Sequence, residues 1–410
     1  MQYLTNFDKV RACGLLPPNS GRARRTTSPG EAMHDLPDEL LSLLFNAVPA
    51  LELRCAMCVC SRWRVLIGVM DRTLMLVTEG ATNELVLLDG RGEVVQRVKA
   101  LPPPRRRHGV GGGNGAHRGG SKWPTCMTLG PQGDLIVSQY KINGLLLFRR
   151  CPAGFQYQRT IVSHPSLASP EGVIFAHNSY YLVSVDSGKV TRLSLDGKVM
   201  EEAEPFEMEG DFYAMWGMCL HGDTLFIAAH VSDEAGEYDL PTATNTGAVL
   251  MLALDGGTGT FVGEICWFAG LDSNGRPYLN RPSDPSMCKH GFLHVSSFIS
   301  SAEGHRRRIF KLATHGHQSP QGKQLGWLAT SEDHSHMLRS PWGLSFGPTG
   351  SVYMTSHAAD GASPCGVVKL ESCCGRAASR GDEVGAIHCG PATMLTPESV
   401  MKEPNYVFQL

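Results

Sequence analysis

The chain has 410 residues, 42 % of them hydrophobic and 19 % charged, with 46 Gly and 25 Pro. That length predicts one to three domains, and the Gly and Pro content predicts many turns. A net charge of −2 excludes a global field that would draw the protein to nucleic acid or to a membrane surface. The two basic runs, Arg105-Arg106-Arg107 and Arg306-Arg307-Arg308, read as solvated loop charge.

The 13 cysteines are odd in number, irregularly spaced and not preceded by a secretory leader. That usage predicts reduced thiols and a cytoplasmic or nuclear protein. No apolar run reaches the roughly 18 residues of a membrane-spanning helix. Residues 1–33 are polar, with Arg22, Arg24 and Arg25 among Ser and Thr, and read as a disordered tail rather than a transit peptide.

Residues 34–70 change character. Asp35 suits a helix N-cap, Pro37 the first turn, and Asp38 and Glu39 the positive end of the helix dipole. Leu40, Leu41, Leu44, Phe45 and Val48 then fall on one helical face before Pro49 ends the helix. A second helix carries Leu51, Cys55 and Val59 on one stripe and Leu53, Met57 and Cys60 on another; a short third holds Trp63, Leu66 and Ile67. A unit of about 35 residues rarely closes its own core, so this excess apolar surface must meet the rest of the chain or another protein. Cys55, Cys58 and Cys60 suggest half a zinc site, but no paired Cys or His follows at zinc-finger spacing, and they read as small packing residues.

The order Leu36-Pro37, Leu40-Leu41, Leu44-Phe45, Pro49, Leu53, Val59-Cys60, Arg62-Trp63 and Leu66-Ile67 resembles the F-box. The resemblance implies a three-helix unit docking on a Skp-type adaptor and, through it, on a cullin-RING ubiquitin ligase. Its contact or contact-supporting residues would be Leu36, Pro37, Leu40, Leu44, Phe45, Pro49, Val59, Cys60, Trp63 and Leu66.

From residue 72 onward one unit recurs six times. A short apolar strand ends in a small residue: LMLVT (74–78), LIVS (135–138), YLVS (181–184), LFIA (225–228), LHVS (293–296) and VYMT (352–355). Each is followed by a second strand, such as ELVLLD (84–89) or GVVKL (366–370). Five are preceded by an entry strand: WPTCMTL (123–129), SPEGVIF (169–175), MWGMCL (215–220), DPSMCK (284–289) and SPWGLSF (340–346). The pairs Asp89-Gly90, Asp196-Gly197 and Asp255-Gly256 mark tight hairpins. Six such units predict a radial six-bladed β-propeller over residues 72–410, with a disordered basic, Gly-rich loop at 102–121. The first unit lacks an entry strand, and the strand-like tail EPNYVFQL (403–410) is expected to supply it and close the ring. The unit pattern, Pro-x-Gly-apolar and then apolar-Val-Ser/Thr, resembles the NHL and gluconolactonase-like six-bladed propellers.

The second residue after each small strand end defines one rim: Gly80, Tyr140, Asp186, His230, Phe298 and His357. Trp216-Gly217 and Trp342-Gly343 recur two blades apart, in the blades that carry His230 and His357. Tyr140, Asp186, Trp216, His230, Phe298, Trp342 and His357 are therefore the candidate target-binding residues. Two readings of the histidines stand side by side. With Asp186 and Glu171 they would form a metal or catalytic centre, as in a metal-dependent lactonase or arylesterase-like propeller; otherwise they hydrogen-bond across their blades. The later blades lack the Asn residues that a gluconolactonase-like cation site implies, and no Gly-x-Ser-x-Gly, Walker or His-Glu-x-x-His motif is present. The expectation is a mainly β chain, a six-bladed propeller behind a small F-box, acting without a cofactor, metal or catalytic residue as a substrate-recognition subunit.

Overall fold

A computed structural model describes residues 74–100, 124–151, 154–204, 212–232, 247–270, 278–279, 281–297, 308–314, 324–329, 341–347, 350–356, 365–371, 385–388, 392–396, 401 and 404–409. The expected helical block 34–70, the tail before it and the loop 102–121 lie outside the described residues.

The described residues form 25 strands in six sheets. The first sheet contains β1 (Met75–Glu79), β2 (Glu84–Leu88) and β3 (Val94–Lys99). The second is β4 (Pro124–Leu129), β5 (Leu135–Gln139), β6 (Gly144–Cys151) and β7 (Gly154–Ser163). The third is β8 (Pro170–Ala176), β9 (Ser179–Ser184), β10 (Val190–Leu193) and β11 (Val199–Ala203), and the fourth β12 (Phe212–His221), β13 (Thr224–Ser232), β14 (Gly247–Leu254) and β15 (Phe261–Ala269). The fifth holds β16 (Pro282–Met287), β17 (Leu293–Ser297), β18 (Arg308–Leu312) and β19 (Gln324–Ala329), and the sixth β20 (Pro341–Phe346), β21 (Val352–Ser356) and β22 (Gly366–Leu370). Beyond these, β23 (Gly385–His388) pairs in parallel with β19, β24 (Ala392–Met394) completes the sixth sheet against β22, and β25 (Pro404–Gln409) returns to pair with β1.

Each entry strand packs on the entry strand of the next sheet: β4 on β8, β8 on β12, β12 on β16, β16 on β20, β20 on β25 and β25 on β4. That closed cycle makes the described residues a six-bladed propeller with the entry strands innermost. As the tail sequence predicts, β25 is the missing inner strand of the first blade, with Val407 opposite Val77 and Phe408 opposite Leu76.

Burial follows from this geometry. The strands nearest the channel lie between neighbouring blades; β5, second from the channel in its blade, is buried along its whole length. The outer β3 exposes Val94 and Val95. The apolar clusters lie between blades rather than within them. Tyr181 and Val190 of the third blade pack with Leu225 and Leu252 of the fourth, and Met75 and Val86 of the first with Tyr353 and Val367 of the sixth. Burying each such side chain is worth about 1.5–3 kcal/mol, a gain available only when blades stack. The hairpins expected at the Asp-Gly pairs are present. The Asp89 carboxylate accepts the N–H groups of Arg91 and Glu93, both at 2.9 Å. Gly92 turns there at φ +84°, where a Cβ would lie 1.9 Å from the Leu395 carbonyl oxygen.

One feature is common to all six inner strands. Two of their residues face a single residue on the next strand: Thr125-Cys126, Glu171-Gly172, Trp216-Gly217, Ser283-Asp284, Trp342-Gly343 and Asn405-Tyr406. A bulge of this kind re-aims side chains and leaves a backbone group outside the ladder. The small strand-end residue deals with the second effect. Cys126, Asp284, Gly343 and Tyr406 donate their N–H to the hydroxyls of Ser138, Ser296, Thr355 and Thr78 at 2.9, 3.0, 2.7 and 2.9 Å. Ser138, Ser296 and Thr78 in turn donate to the carbonyls of Glu171, Trp342 and Thr125 in the following blade, at 2.6, 2.7 and 2.9 Å.

The register corrects two sequence alignments. In the third blade Val173 pairs with Leu182, so the residue facing the bulge is Val183 and YLVS (181–184) is displaced by one from the other units. In the fifth blade the inner strand starts at Pro282, not at the Asp284-Pro285 pair.

Candidate functional site

The six bulges converge on one cavity in the channel, lined by Thr125, Cys126, Glu171, Trp216, Gly217, Ser283, Asp284, Trp342, Gly343 and Tyr406. The bulges therefore build the site as well as the ring. Small residues beside the bulges allow the approach. A Cβ on Gly217 would lie 2.5 Å from the Ser283 carbonyl oxygen and 2.8 Å from Asp284 Oδ1, and one on Gly172 would lie 2.8 Å from Val183 Cγ2.

Three of the residues expected on the rim come together here. Trp216 meets Trp342 edge to face, with ring centroids 5.4 Å apart, and packs against His230 at 5.3 Å. Trp216 Nε1–H donates to His230 Nε2 at 3.0 Å. The imidazole is 4 % exposed, and its pKa is pushed down to about 3, chiefly by burial and then by the Arg281 charge. It is therefore a neutral acceptor holding the Trp216 ring.

Tyr140 and Asp186 also meet. Ser169 donates to the Asp186 carboxylate, and the Tyr140 hydroxyl is hydrogen-bonded to Ser169. Ser169 sits at φ +53° just before Pro170, its N–H bonded to Asn143 Oδ1 at 3.1 Å. This pins the start of the bulge that carries Glu171. By register the residue equivalent to Tyr140 is Val185, and Asp186 lies one further along, exposed. Gly80 is buried at the end of β1. Phe298 and His357 lie outside the described residues, as do all the expected adaptor contacts.

Glu171 and Asp284 were not among the expected target-binding residues. Burial, with the Asp186 charge added, holds the Glu171 carboxyl well above its usual range. Burial does the same to Asp284, partly offset by the Leu344 N–H donating to Oδ2 at 2.6 Å. Asp284 is 3 % exposed, and its Oδ1 has no hydrogen-bond partner among the described residues. The Cys126 thiol is raised to about 12 by burial and by the Asp284 charge, far from a reactive thiolate. Among the described residues no group of three or more His, Cys, Asp or Glu is placed to hold a metal ion, and no helix is long and apolar enough to cross a membrane. The solvent space in the cavity is about 20 Å³, room for one water-sized group.

Fold and site together define a closed six-bladed propeller whose channel mouth is aromatic and acidic. Comparison with known families adds the other half. Residues 33–71 match the F-box-like family model, over the stretch whose Leu-Pro and Val-Cys-x-Arg-Trp order resembles that family. Comparison with curated proteins gives no match. Similar solved structures include a Bacteroides caccae protein of unknown function (9 % identity, TM-score 0.47, covering 83 % of this chain and 99 % of that one). A nidogen/laminin complex (13 %, 0.46, 82 % and 97 %) and a candidate gluconolactonase (15 %, 0.41, 60 % and 74 %) are also similar. The chain thus couples an F-box-like segment to a β-propeller.

Proposed function

We propose that this chain is the substrate-recognition subunit of a Skp–cullin–F-box ubiquitin ligase. Residues 34–70 dock on the Skp-type adaptor through Leu36, Pro37, Leu40, Leu44, Phe45, Pro49, Val59, Cys60, Trp63 and Leu66. The propeller holds a protein target at its channel mouth. The observation that carries this reading is the F-box-like match at residues 33–71, ahead of a ring whose last strand closes on its first. In this role the chain contributes position rather than bond chemistry. Tethering raises the concentration of target lysines near the loaded conjugating enzyme, and a closed ring suits that task because its inner strands hold a binding surface rigidly.

The channel chemistry supports binding over turnover. His230 is a neutral hydrogen-bond acceptor and Cys126 a protonated thiol. A solvent space of about 20 Å³ is far below the roughly 300–1,000 Å³ of a small-molecule site, which weighs against the lactonase alternative. The test is to remove the chain from its cells and identify the proteins whose half-lives lengthen. Re-expressed wild-type chain restores their turnover, and chain carrying Trp63→Ala does not. Unchanged protein half-lives after removal, or full rescue by Trp63→Ala, overturn the reading.

A further inference from the structure

The channel mouth combines two features that a cation would satisfy together. The first is a pair of poorly solvated carboxyl groups, which burial biases toward the protonated form and which an adjacent cation would draw into the ionised form. Asp284, buried to 3 % exposure, lines the cavity, and its Oδ1 has no hydrogen-bond partner among the described residues. The Glu171 carboxyl group lines the same cavity, with the charge of Asp186 close by. Leaving a buried polar atom unpaired is unfavourable, and more so when the atom is charged. The second is aromatic surface. The Trp216 and Trp342 rings line the same space, held edge to face at 5.4 Å, and indole faces attract cations.

We infer that this site binds a primary ammonium group of the target protein, either a lysine ε-amine or a free N-terminal amine, with Glu171 and Asp284 as its acceptors and the two tryptophans as its walls. The inference rests on the proposed role of the propeller as the target-holding half. Size selects among cations. A space of about 20 Å³ admits a water-sized group. An ammonium is a compact point charge with three donors, whereas a guanidinium is a flat fork that needs a wider slot. An acetylated amine loses the charge and gains bulk, so it is rejected on both counts.

The experiment uses full-length chain and short peptides with a dye at the C-terminus, read by fluorescence anisotropy. The probes are acetyl-Gly-Lys-Gly, the same peptide with Nε-acetyl-lysine, the same peptide with Arg for Lys, and Gly-Gly-Gly with a free N-terminus. At least one free-amine peptide is expected to bind about tenfold or more tighter than the acetyl-lysine peptide. Preference for acetyl-Gly-Lys-Gly assigns the source to a side chain, and preference for Gly-Gly-Gly to a chain start. Glu171→Gln and Asp284→Asn each abolish the preference while the melting temperature stays equal or rises, because each removes a poorly solvated acid. Equal binding of free and acetylated peptides, no binding of either amine, an arginine peptide that binds as tightly, or wild-type affinity in both variants overturns the inference. Capture by the Skp-type adaptor on the same sample separates the two claims. Amine binding absent with capture intact removes this site alone, and capture absent with amine binding intact removes the ligase reading alone.

Discussion

Trp216 and Trp342 belong to the fourth and sixth blades, 126 positions apart in the chain, yet their rings meet edge to face at 5.4 Å inside the channel. Both occupy the first position of an inner-strand bulge, followed by Gly217 and Gly343. The bulge brings each indole to the cavity, and Gly217 lets the fifth blade close in. Mutations at the bulges should therefore report on ring and site together.

Gly217→Ala puts a Cβ 2.5 Å from the Ser283 carbonyl oxygen and 2.8 Å from Asp284 Oδ1. One of these contacts is backbone and cannot swing away, so the fourth and fifth blades must part. The expected loss is about 1–3 kcal/mol, in the range of overpacked cores, read as a lower urea midpoint. The intrinsic fluorescence of Trp216 and Trp342 should shift as well.

Ser138→Ala removes the group that accepts from Cys126 N–H and donates to the Glu171 carbonyl. Both are left without this partner at a buried blade junction, and the expected cost is about 1–3 kcal/mol by urea unfolding. A cost within about 0.3 kcal/mol would show that the hydroxyl relay is not what holds the second and third blades together.

Truncation before Pro404 deletes β25, and with it the inner strand of the first blade and the buried Val407. It leaves β1 an open edge and uncovers part of the cluster around Met75 and Tyr353. The truncated chain is expected to lose its cooperative melt, since the whole stability of a domain is only about 5–15 kcal/mol. Adding a synthetic 401–410 peptide should partly restore it.

The buried ionisable groups give a pH dependence of opposite signs. His230, depressed to about 3 from its ordinary 6.5 by burial and by the Arg281 charge, binds a proton less readily folded than unfolded. Its contribution is present above pH 6.5 and is lost as pH falls toward 3. Glu171 and Asp284 are raised, mainly by burial, so their contribution is complete below their ordinary carboxylate range and is lost as pH rises through the folded values. Asp284→Asn should accordingly stabilise the chain at pH 7 and lose that advantage as pH falls toward 4, as read by thermal unfolding at several pH values. A constant offset across that range would contradict the burial argument.

Much of the fold was legible in the sequence. The apolar strand ends LIVS (135–138) and VYMT (352–355), the Asp-Gly hairpins and the strand-like tail gave six blades and the way the ring closes. The bulges were not legible, for a physical reason. Inner strands are buried on both faces and lose the two-residue alternation that would expose an inserted residue. The hydroxyl that betrays the bulge is replaced by Val183 and Ala228 in two blades. Asp284 was hidden by the proline that follows it, since Pro285 imitates the entry proline and the strand begins at Pro282. A sharper signal was present all along: in four inner strands the residue after the opening proline, namely Thr125, Glu171, Ser283 or Trp342, lines the cavity, as does Trp216 at the matching bulge position of β12.

The central claim is that the F-box-like segment hangs this propeller on a ubiquitin ligase. It is tested most directly by measuring the affinity of full-length chain for a purified Skp-type adaptor. The account predicts a one-to-one complex that is weakened at least about a hundredfold by Leu40→Asp or Trp63→Ala, while the thermal melt of the propeller is unchanged. No complex with wild-type chain, or equal affinity in both variants, would contradict it.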